Sequence, residues 1–209
     1  MNDRDFTLGV VFQRMGWIFV SPRRVFEALK DRVETADWVY PFLVLTVMGL
    51  LAVQMVLGMS VSPDAQVEPE QLISAEYAIL WGVGNLGFLL LFGGLYWGLA
   101  RFILGGEASF FSVLAVVSYS DLIAVLDVVL AVPLTLSWGV EDGALSLNLI
   151  LPASGEALTE MFTQVTPFLV WKQILIGIGL GVVSGISEKK SVCAVVVFWV
   201  ISTLAVILA

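Results

Sequence analysis

The chain has 209 residues, of which 59% are hydrophobic and 13% are charged, and its formal net charge is −8 with no histidine and one cysteine. A soluble domain of this size could not bury so much apolar surface, and a disordered chain would be far more polar, so the composition indicates an integral membrane protein. An acidic chain lacks the basic stripe of a nucleic-acid binder, and a chain without histidine cannot build a Ser-His-Asp triad or a typical zinc site.

The N-terminal segment, residues 1–37, is predicted to form short amphipathic helices on the cytoplasmic face of the membrane. Apolar residues recur at helical spacing over residues 8–19 and 25–33, and Ser21-Pro22 between them is typical of a helix start. Basic residues occupy the polar sides of these helices: Arg14, Arg23, Arg24, Lys30 and Arg32. They either contact anionic lipid and anchor the segment, or form a docking surface for a cytoplasmic partner.

Five apolar stretches are long enough to cross a membrane as helices, which requires about 20 residues each. They are Trp38–Gly58, Tyr77–Leu104, Phe110–Leu134, Thr166–Ile186 and Ser191–Ala209. The predicted fold class is therefore an all-α integral membrane protein, in which amphipathic interfacial helices precede a domain of five transmembrane helices over residues 38–209.

The basic residues predict the orientation of the five spans. Six of the ten Lys and Arg residues precede the first span, Arg101 ends the second, and Lys189 and Lys190 lie between the fourth and the fifth. Residues 59–76 and 137–164 contain neither Lys nor Arg. Because basic loops stay in the cytoplasm, the N-terminus is predicted to be cytoplasmic and the C-terminus external. Residues 59–76 and 137–164 together contain eight acidic residues, so the outer face is predicted to carry the net negative charge.

Glycines at four-residue spacing predict faces for close helix packing. Gly94 and Gly98 share one face of the second span, and Gly177, Gly181 and Gly185 share one face of the fourth. Packing within the bundle and self-association of two copies both use such faces, and the spacing does not distinguish between them.

Ionisable groups at membrane depth are candidates for a functional site. Asp121 is expected near the middle of the third span, Asp127 lies about one and a half turns further out, and Lys172 enters the fourth span from outside. We predict an ion pair between Asp127 and Lys172. Asp121 has no obvious basic partner, so it is expected either to be protonated or to form a hydrogen bond with Ser118, Tyr119 or another span. The ion pair is either a neutralised packing contact or part of a transport or proton-relay path.

The two aspartates do not form a catalytic dyad by themselves. Asp121 and Asp127 are six positions apart on one helix, which leaves them about 120° apart around its axis. We therefore expect no enzyme, and thus no catalytic residue, no cofactor and no bound metal.

Six short motifs follow one another along the chain. They are Ser21-Pro22-Arg23-Arg24-Val25-Phe26, Ser118-Tyr119-Ser120, Leu149-Ile150-Leu151-Pro152, Phe168-Leu169-Val170-Trp171-Lys172-Gln173, Ile178-Gly179-Leu180 and Ser184-Gly185-Ile186-Ser187-Glu188-Lys189-Lys190. Their order resembles the Yip domain family, which contains the Ypt/Rab-interacting membrane proteins and prokaryotic relatives. The resemblance covers most of the chain and implies five spans, a cytoplasmic N-terminus and no known catalysis.

The eukaryotic members of that family are implicated in vesicle trafficking and in interaction with Rab-type GTPases. Their Asp-Leu-Tyr-Gly-Pro motif is absent from this chain, which favours the prokaryotic branch and a location in the inner (plasma) membrane of a prokaryote.

The function favoured by these observations is that of a non-catalytic scaffold or modulator of a membrane transport or trafficking assembly. Its partners would be the lipid bilayer and either another membrane protein or a second copy, and no nucleic acid. The alternative is a small transporter or a lipid- or ion-handling protein that uses its intramembrane Asp and Lys residues. A water-lined cavity that reaches Asp121 favours the alternative, whereas a tightly packed interior favours the scaffold.

Overall fold

The computed structural model describes residues 8–60, 74–138, 145–151, 158–159, 162–163 and 165–207, and every regular element in these ranges is helical. Much of the two predicted outer stretches, residues 59–76 and 137–164, and the predicted end of the fifth span at Ala209 lie outside the described residues.

Nine α-helices are described in these ranges. They are α1 (Leu8–Trp17), α2 (Pro22–Asp31), α3 (Thr35–Ser60), α4 (Ala75–Gly98), α5 (Phe110–Asp121), α6 (Ile123–Trp138), α7 (Leu147–Ile150), α8 (Pro167–Ser184) and α9 (Glu188–Ile207). A short π-helical segment, Leu99–Ile103, continues α4 toward the loop before α5.

Four helical stretches in the described residues are long and apolar enough to cross a membrane. They are Thr35–Met55, Ala75–Ile103, Phe110–Asp127 and Pro167–Ser184. These four correspond to the first four predicted spans, whereas a crossing by α9 stays a prediction.

The predicted third span is not one continuous helix, because a turn at Leu122 separates α5 from α6. At this turn the backbone N–H of Leu122 donates to the carbonyl of Tyr119 at 3.3 Å, and that of Val125 donates to the carbonyl of Leu122 at 3.0 Å. These bonds reach back three residues instead of four, which interrupts the regular α-helical pattern. Leu122 itself keeps right-handed helical backbone angles, φ −59° and ψ −21°, so the irregularity is confined to this turn.

Helices α5 and α8 form the centre of the bundle. In the spans that contain them, 56% and 50% of the residues are buried, compared with 11% in the spans formed by α3 and α4. Helices α3 and α4 pack against α5, whereas α2 and α9 pack against α8. The peripheral helices therefore turn most of their apolar surface outward, which is the arrangement expected for helices in contact with lipid.

Two glycines of α8 allow α9 to approach closely. A Cβ atom on Gly177 would lie 2.5 Å from the Cα of Val192, and one on Gly181 would lie 2.9 Å from the Cα of Glu188. Gly185 has a different role, because its φ of 68° ends α8 in the left-handed conformation. No described atom lies within 4 Å of a Cβ built on it, so Gly185 does not pack closely against another described helix of the chain, and its use in self-association stays a prediction.

The predicted packing face on α4 also makes no close contact within the described chain, and its use in self-association stays a prediction. A Cβ on Gly94 would meet no described atom within 4 Å, and one on Gly98 would meet only Phe102, at 4.0 Å. Close approaches occur instead at Gly93, against Leu114, and at Gly179, against Val116 and Phe26. The four-residue spacing shows which glycines share a face, but it does not show which face of the helix another helix covers. The glycines in close contact therefore differ from those predicted.

The apolar faces of α1 and α2 are buried against the bundle. Val11, Ile18, Val25, Phe26 and Leu29 are each at most 1% exposed. Helix α2 packs on α8 and α5, so its apolar face contacts protein and is not available to lipid. These two helices therefore stabilise the bundle through direct packing, and Arg23, Arg24 and Lys30 of α2 face outward.

We expect Gly177→Ala to lower the stability of the protein by about 1–3 kcal/mol, because the new methyl group would collide with the backbone of α9. Gly94→Ala is the matched control and should change the stability by no more than about 0.5 kcal/mol, since its methyl group would enter open space. Unfolding in mixed detergent micelles measures both variants. Equal stability of the two would contradict the described contact between α8 and α9.

Candidate functional site

A buried charge network connects α1 to α3 and α5. Nη1 of Arg14 lies 2.6 Å from Oδ1 of Asp37, whose side chain is fully buried. The other oxygen of Asp37 accepts a hydrogen bond from the backbone N–H of Glu34 at 3.0 Å, and the hydroxyl of Tyr119 donates to Oδ1 at 3.3 Å. Arg14 was predicted to contact lipid or a docked partner, and this prediction is wrong because its charge neutralises Asp37 inside the protein.

The other predicted basic residues lie on the surface of α2 and the residue that follows it. Arg23 pairs with Glu27 at 3.0 Å and with Glu188 at 3.4 Å, and Arg32 pairs with Glu34 at 2.8 Å. The guanidinium of Arg24 lies 6.0 Å from the ring centre of Trp17, and Lys30 is exposed. These four residues remain candidates for contact with lipid or with a partner.

A second ion pair joins the two central helices. Nζ of Lys172, on α8, lies 2.7 Å from Oδ1 of Asp121, at the end of α5. The two side chains are 28% and 15% exposed, so most of the pair is removed from the surroundings of the protein. Burial of this kind is favourable only when the two opposite charges stay together.

The predicted partner of Lys172 was Asp127, and this prediction is wrong. Asp127, on α6, accepts a hydrogen bond from the hydroxyl of Thr166 at 3.1 Å. The same hydroxyl accepts a hydrogen bond from the backbone N–H of Leu169 and caps the start of α8. The prediction placed Asp127 level with Lys172, whereas Asp127 lies level with Thr166 at the start of α8, and Asp121, six residues earlier, lies level with Lys172.

The remaining polar candidates lie apart from this ion pair. Tyr119 and Asp121 are two positions apart on α5, which sets them about 160° apart around the helix. Tyr119 consequently faces Asp37 and Arg14, and not Lys172. Ser118 is buried, and its hydroxyl has no hydrogen-bond partner among the described residues. The five predicted polar residues therefore belong to several separate environments.

A cavity of about 420 Å³ lies beside the Lys172–Asp121 pair. Polar side chains from four helices line it: Asn85 and Tyr96 of α4, Asp121 of α5, Lys172 and Gln173 of α8, and Ser202 and Thr203 of α9. The hydroxyl of Tyr96 donates to Oε1 of Gln173 at 2.8 Å, and the ring of Tyr96 contacts Phe198 edge-on at a centroid distance of 5.7 Å. These contacts join α4 to α8 and α9 at one part of the cavity wall.

The rest of the cavity wall is apolar and reaches the outer surface of the bundle. Its aromatic members are Phe42, Phe88, Phe92 and Trp199. Phe88 lines the cavity although its side chain is 64% exposed, so this part of the wall is shared with the surface that α4 turns toward lipid. The cavity thus combines a paired charge, amide and hydroxyl groups, and a wall that continues to the bundle surface.

The sequence interpretation missed Asn85, Tyr96, Gln173 and Asp37 as parts of these polar environments. Asn85 and Gln173 are amides within apolar runs, which is a signal that the sequence does contain. Asp37 lies directly before the first predicted span, where an acidic residue is ordinary, and only its contact with Arg14 shows its importance. In the described part of the chain, no group of three or more Cys, Asp or Glu residues is arranged to hold a metal ion.

We expect Lys172→Met to lower stability by about 3–5 kcal/mol, because it leaves the charge of Asp121 without a partner. Asp127→Asn is the control and should cost no more than about 1 kcal/mol, since the amide oxygen still accepts the hydrogen bond from Thr166. The double variant Lys172→Met/Asp121→Leu should be more stable than Lys172→Met. If unfolding in mixed micelles shows the single variant at least as stable as the double, the ion pair is not buried as described.

Comparisons with known proteins identify the chain at the level of its family. A family model described as the Yip1 domain matches residues 17–209, a range that begins at the last residue of α1 and includes the cavity and the Lys172–Asp121 pair. No curated protein and no solved structure matches the chain. Because the matched range covers most of the sequence, the chain belongs to the Yip1 domain family.

Proposed function

We propose that this protein is a non-catalytic membrane protein that binds an amphiphilic molecule from the bilayer in the cavity beside Lys172 and Asp121. The cavity itself carries the proposal, since its wall includes both the ion pair and the exposed ring of Phe88. Its volume of about 420 Å³ is within the range of small-molecule sites, roughly 300–1,000 Å³. Tight packing around Asp121 would have favoured the scaffold function instead.

The chemistry of the wall favours an amphiphile over an ion or a purely apolar molecule. Aromatic rings cover one part of the wall, and amide, hydroxyl and charged groups cover the other. A lipid molecule can supply an apolar part to the first and a polar head to the second. The ion pair is costly to keep at this depth, and such groups in a membrane commonly serve binding or transport.

We propose that the protein crosses the inner membrane of a prokaryote five times. Its N-terminus would lie in the cytoplasm and its C-terminus outside. The distribution of Lys and Arg supports this orientation, as basic residues favour the cytoplasmic side. Helix α9 has 20 residues and a length of about 30 Å, which matches the thickness of the hydrocarbon core. In this orientation Lys172 lies in the outer half of the membrane.

We expect Thr203→Trp to reduce the amount of lipid that co-purifies in mild detergent by about tenfold, because the indole would fill the cavity. Val197→Trp is the control on the same helix, since Val197 is 50% exposed and does not line the cavity. Native mass spectrometry of the three proteins counts the bound lipids. Retention of lipid by Thr203→Trp at the level of the unchanged protein would contradict the proposal.

A role as scaffold or modulator of a membrane assembly is a second candidate, and the outward face of α2 favours it. The apolar face of α2 is fixed against the bundle, so the exposed Arg24 and Lys30 are held in a defined position. A membrane-protein partner or a second copy could use that surface. The arrangement resembles a rigid docking site more than a flexible lipid anchor.

If the scaffold role applies, replacing both Arg24 and Lys30 by Ala should abolish co-purification of the partner without lowering the amount of cavity lipid. The matched control replaces Lys189 and Lys190 by Ala, since these residues are also exposed and carry the same charge. Purification of the unchanged protein as a lone monomer under several mild conditions would exclude this second candidate.

A further inference from the structure

We infer that the ligand of the cavity is a lipid with a zwitterionic headgroup, which carries one anionic and one cationic group. This inference rests on the proposed function and specifies the class of amphiphile. The Lys172–Asp121 pair opens on binding, Lys172 then contacts the anionic group of the ligand, and Asp121 contacts its cationic group.

The charged groups on the cavity wall balance each other. Lys172 and Asp121 are the only charged side chains among the described residues that line the cavity, so its wall is neutral overall. An anionic headgroup would leave one negative charge without compensation, and a cationic headgroup would leave one positive charge. An uncompensated ion in surroundings of low dielectric constant costs several kcal/mol. A zwitterion replaces one pair by two pairs and leaves no charge unmatched.

Two amide side chains of the wall can form further hydrogen bonds. Oε1 of Gln173 accepts a hydrogen bond from the hydroxyl of Tyr96, so the amide nitrogen of Gln173 is the group that can donate to an anionic oxygen. On α4, the amide nitrogen of Asn85 donates to the carbonyl of Trp81 at 2.8 Å. The oxygen of Asn85 is left as an acceptor for an ammonium group. The cavity therefore offers donors and acceptors in addition to its two charges.

The aromatic part of the wall fits the rest of such a molecule. Trp199, Phe88 and Phe92 line the cavity, and aromatic faces attract ammonium groups as well as apolar chains. A volume of about 420 Å³ accommodates a headgroup but not two full acyl chains. The exposed ring of Phe88 marks where the chains would remain in the bilayer while the headgroup enters the cavity.

The test measures binding to the full-length protein after delipidation in detergent. Four lipids with identical chains serve as probes: phosphatidylethanolamine, phosphatidylglycerol, a cationic lipid and uncharged diacylglycerol. Native mass spectrometry should show that the zwitterionic lipid binds at least about tenfold more tightly than the other three. Asp121→Asn should shift the preference to the anionic lipid, and Lys172→Gln should shift it to the cationic lipid. Asp127→Asn, which changes a carboxylate outside the cavity, should leave the preference unchanged.

A charge-exchanged protein keeps the test decisive if the single variants fold poorly. Asp121→Lys/Lys172→Asp retains an ion pair in the cavity, so it should still prefer the zwitterionic lipid. Loss of that preference in a folded double variant would overturn the inference, as would a preference of the unchanged protein for the anionic, cationic or uncharged lipid.

Two further outcomes separate the inference from the proposed function. If all four lipids bind equally and Thr203→Trp abolishes their binding, the cavity is a lipid site without selection for headgroup charge, and only the inference fails. If Thr203→Trp has no effect on any lipid, the proposed function fails as well. Free glycerophosphoethanolamine, whose phosphodiester headgroup is a neutral zwitterion like that of the lipid, should not displace the lipid at equal concentration. Equal competition would identify a soluble zwitterion as the ligand and overturn the assignment to lipid.

Discussion

The pairing of buried charges is the constraint on which the interior of this bundle depends. Two helices that touch in a bilayer gain little from the hydrophobic effect, because lipid is as apolar as their side chains. A charge buried between them is costly unless a partner of opposite sign is held in a fixed position. The Lys172–Asp121 contact meets this requirement at 2.7 Å and thereby sets the relation between α8 and the end of α5. The cavity lies beside the only pair that joins the two central helices in the described structure.

The same constraint explains why the N-terminal helices are part of the bundle. Asp37 is fully buried at the start of α3, and Arg14 of α1 supplies its counter-charge. The hydroxyl of Tyr119 extends this contact to α5, so a single acidic group connects three helices. Helix α2 is fixed by packing, with Phe26 against the surface that Gly179 leaves open. A segment whose composition is typical of a lipid anchor is therefore held by protein contacts at both of its helices.

The sequence predicted what depends on local composition and could not predict what depends on neighbouring helices. Apolar runs of about 20 residues determine where spans lie, and four helical stretches of the structure match four of these runs. The partner of Lys172 depended on how far α8 is shifted along α5 and α6, which places Asp121 and not Asp127 level with Lys172. Gly94 and Gly177 have the same kind of spacing, yet only Gly177 meets another backbone. That difference is a property of the assembled bundle and not of either helix.

The unequal packing of the glycine-containing helices explains how a cavity can persist in this bundle. Helix α9 is held against α8 at Gly177 and Gly181, where their backbones nearly touch. Helix α4 packs against α5 at Gly93 and reaches α8 through the hydrogen bond from Tyr96 to Gln173. The space between α4 and α9 is therefore bordered by one closely packed helix and one largely exposed helix. A molecule entering from the bilayer would displace lipid from α4 without breaking the contacts between α8 and α9, so selection among such molecules would rest on charge balance at Lys172 and Asp121.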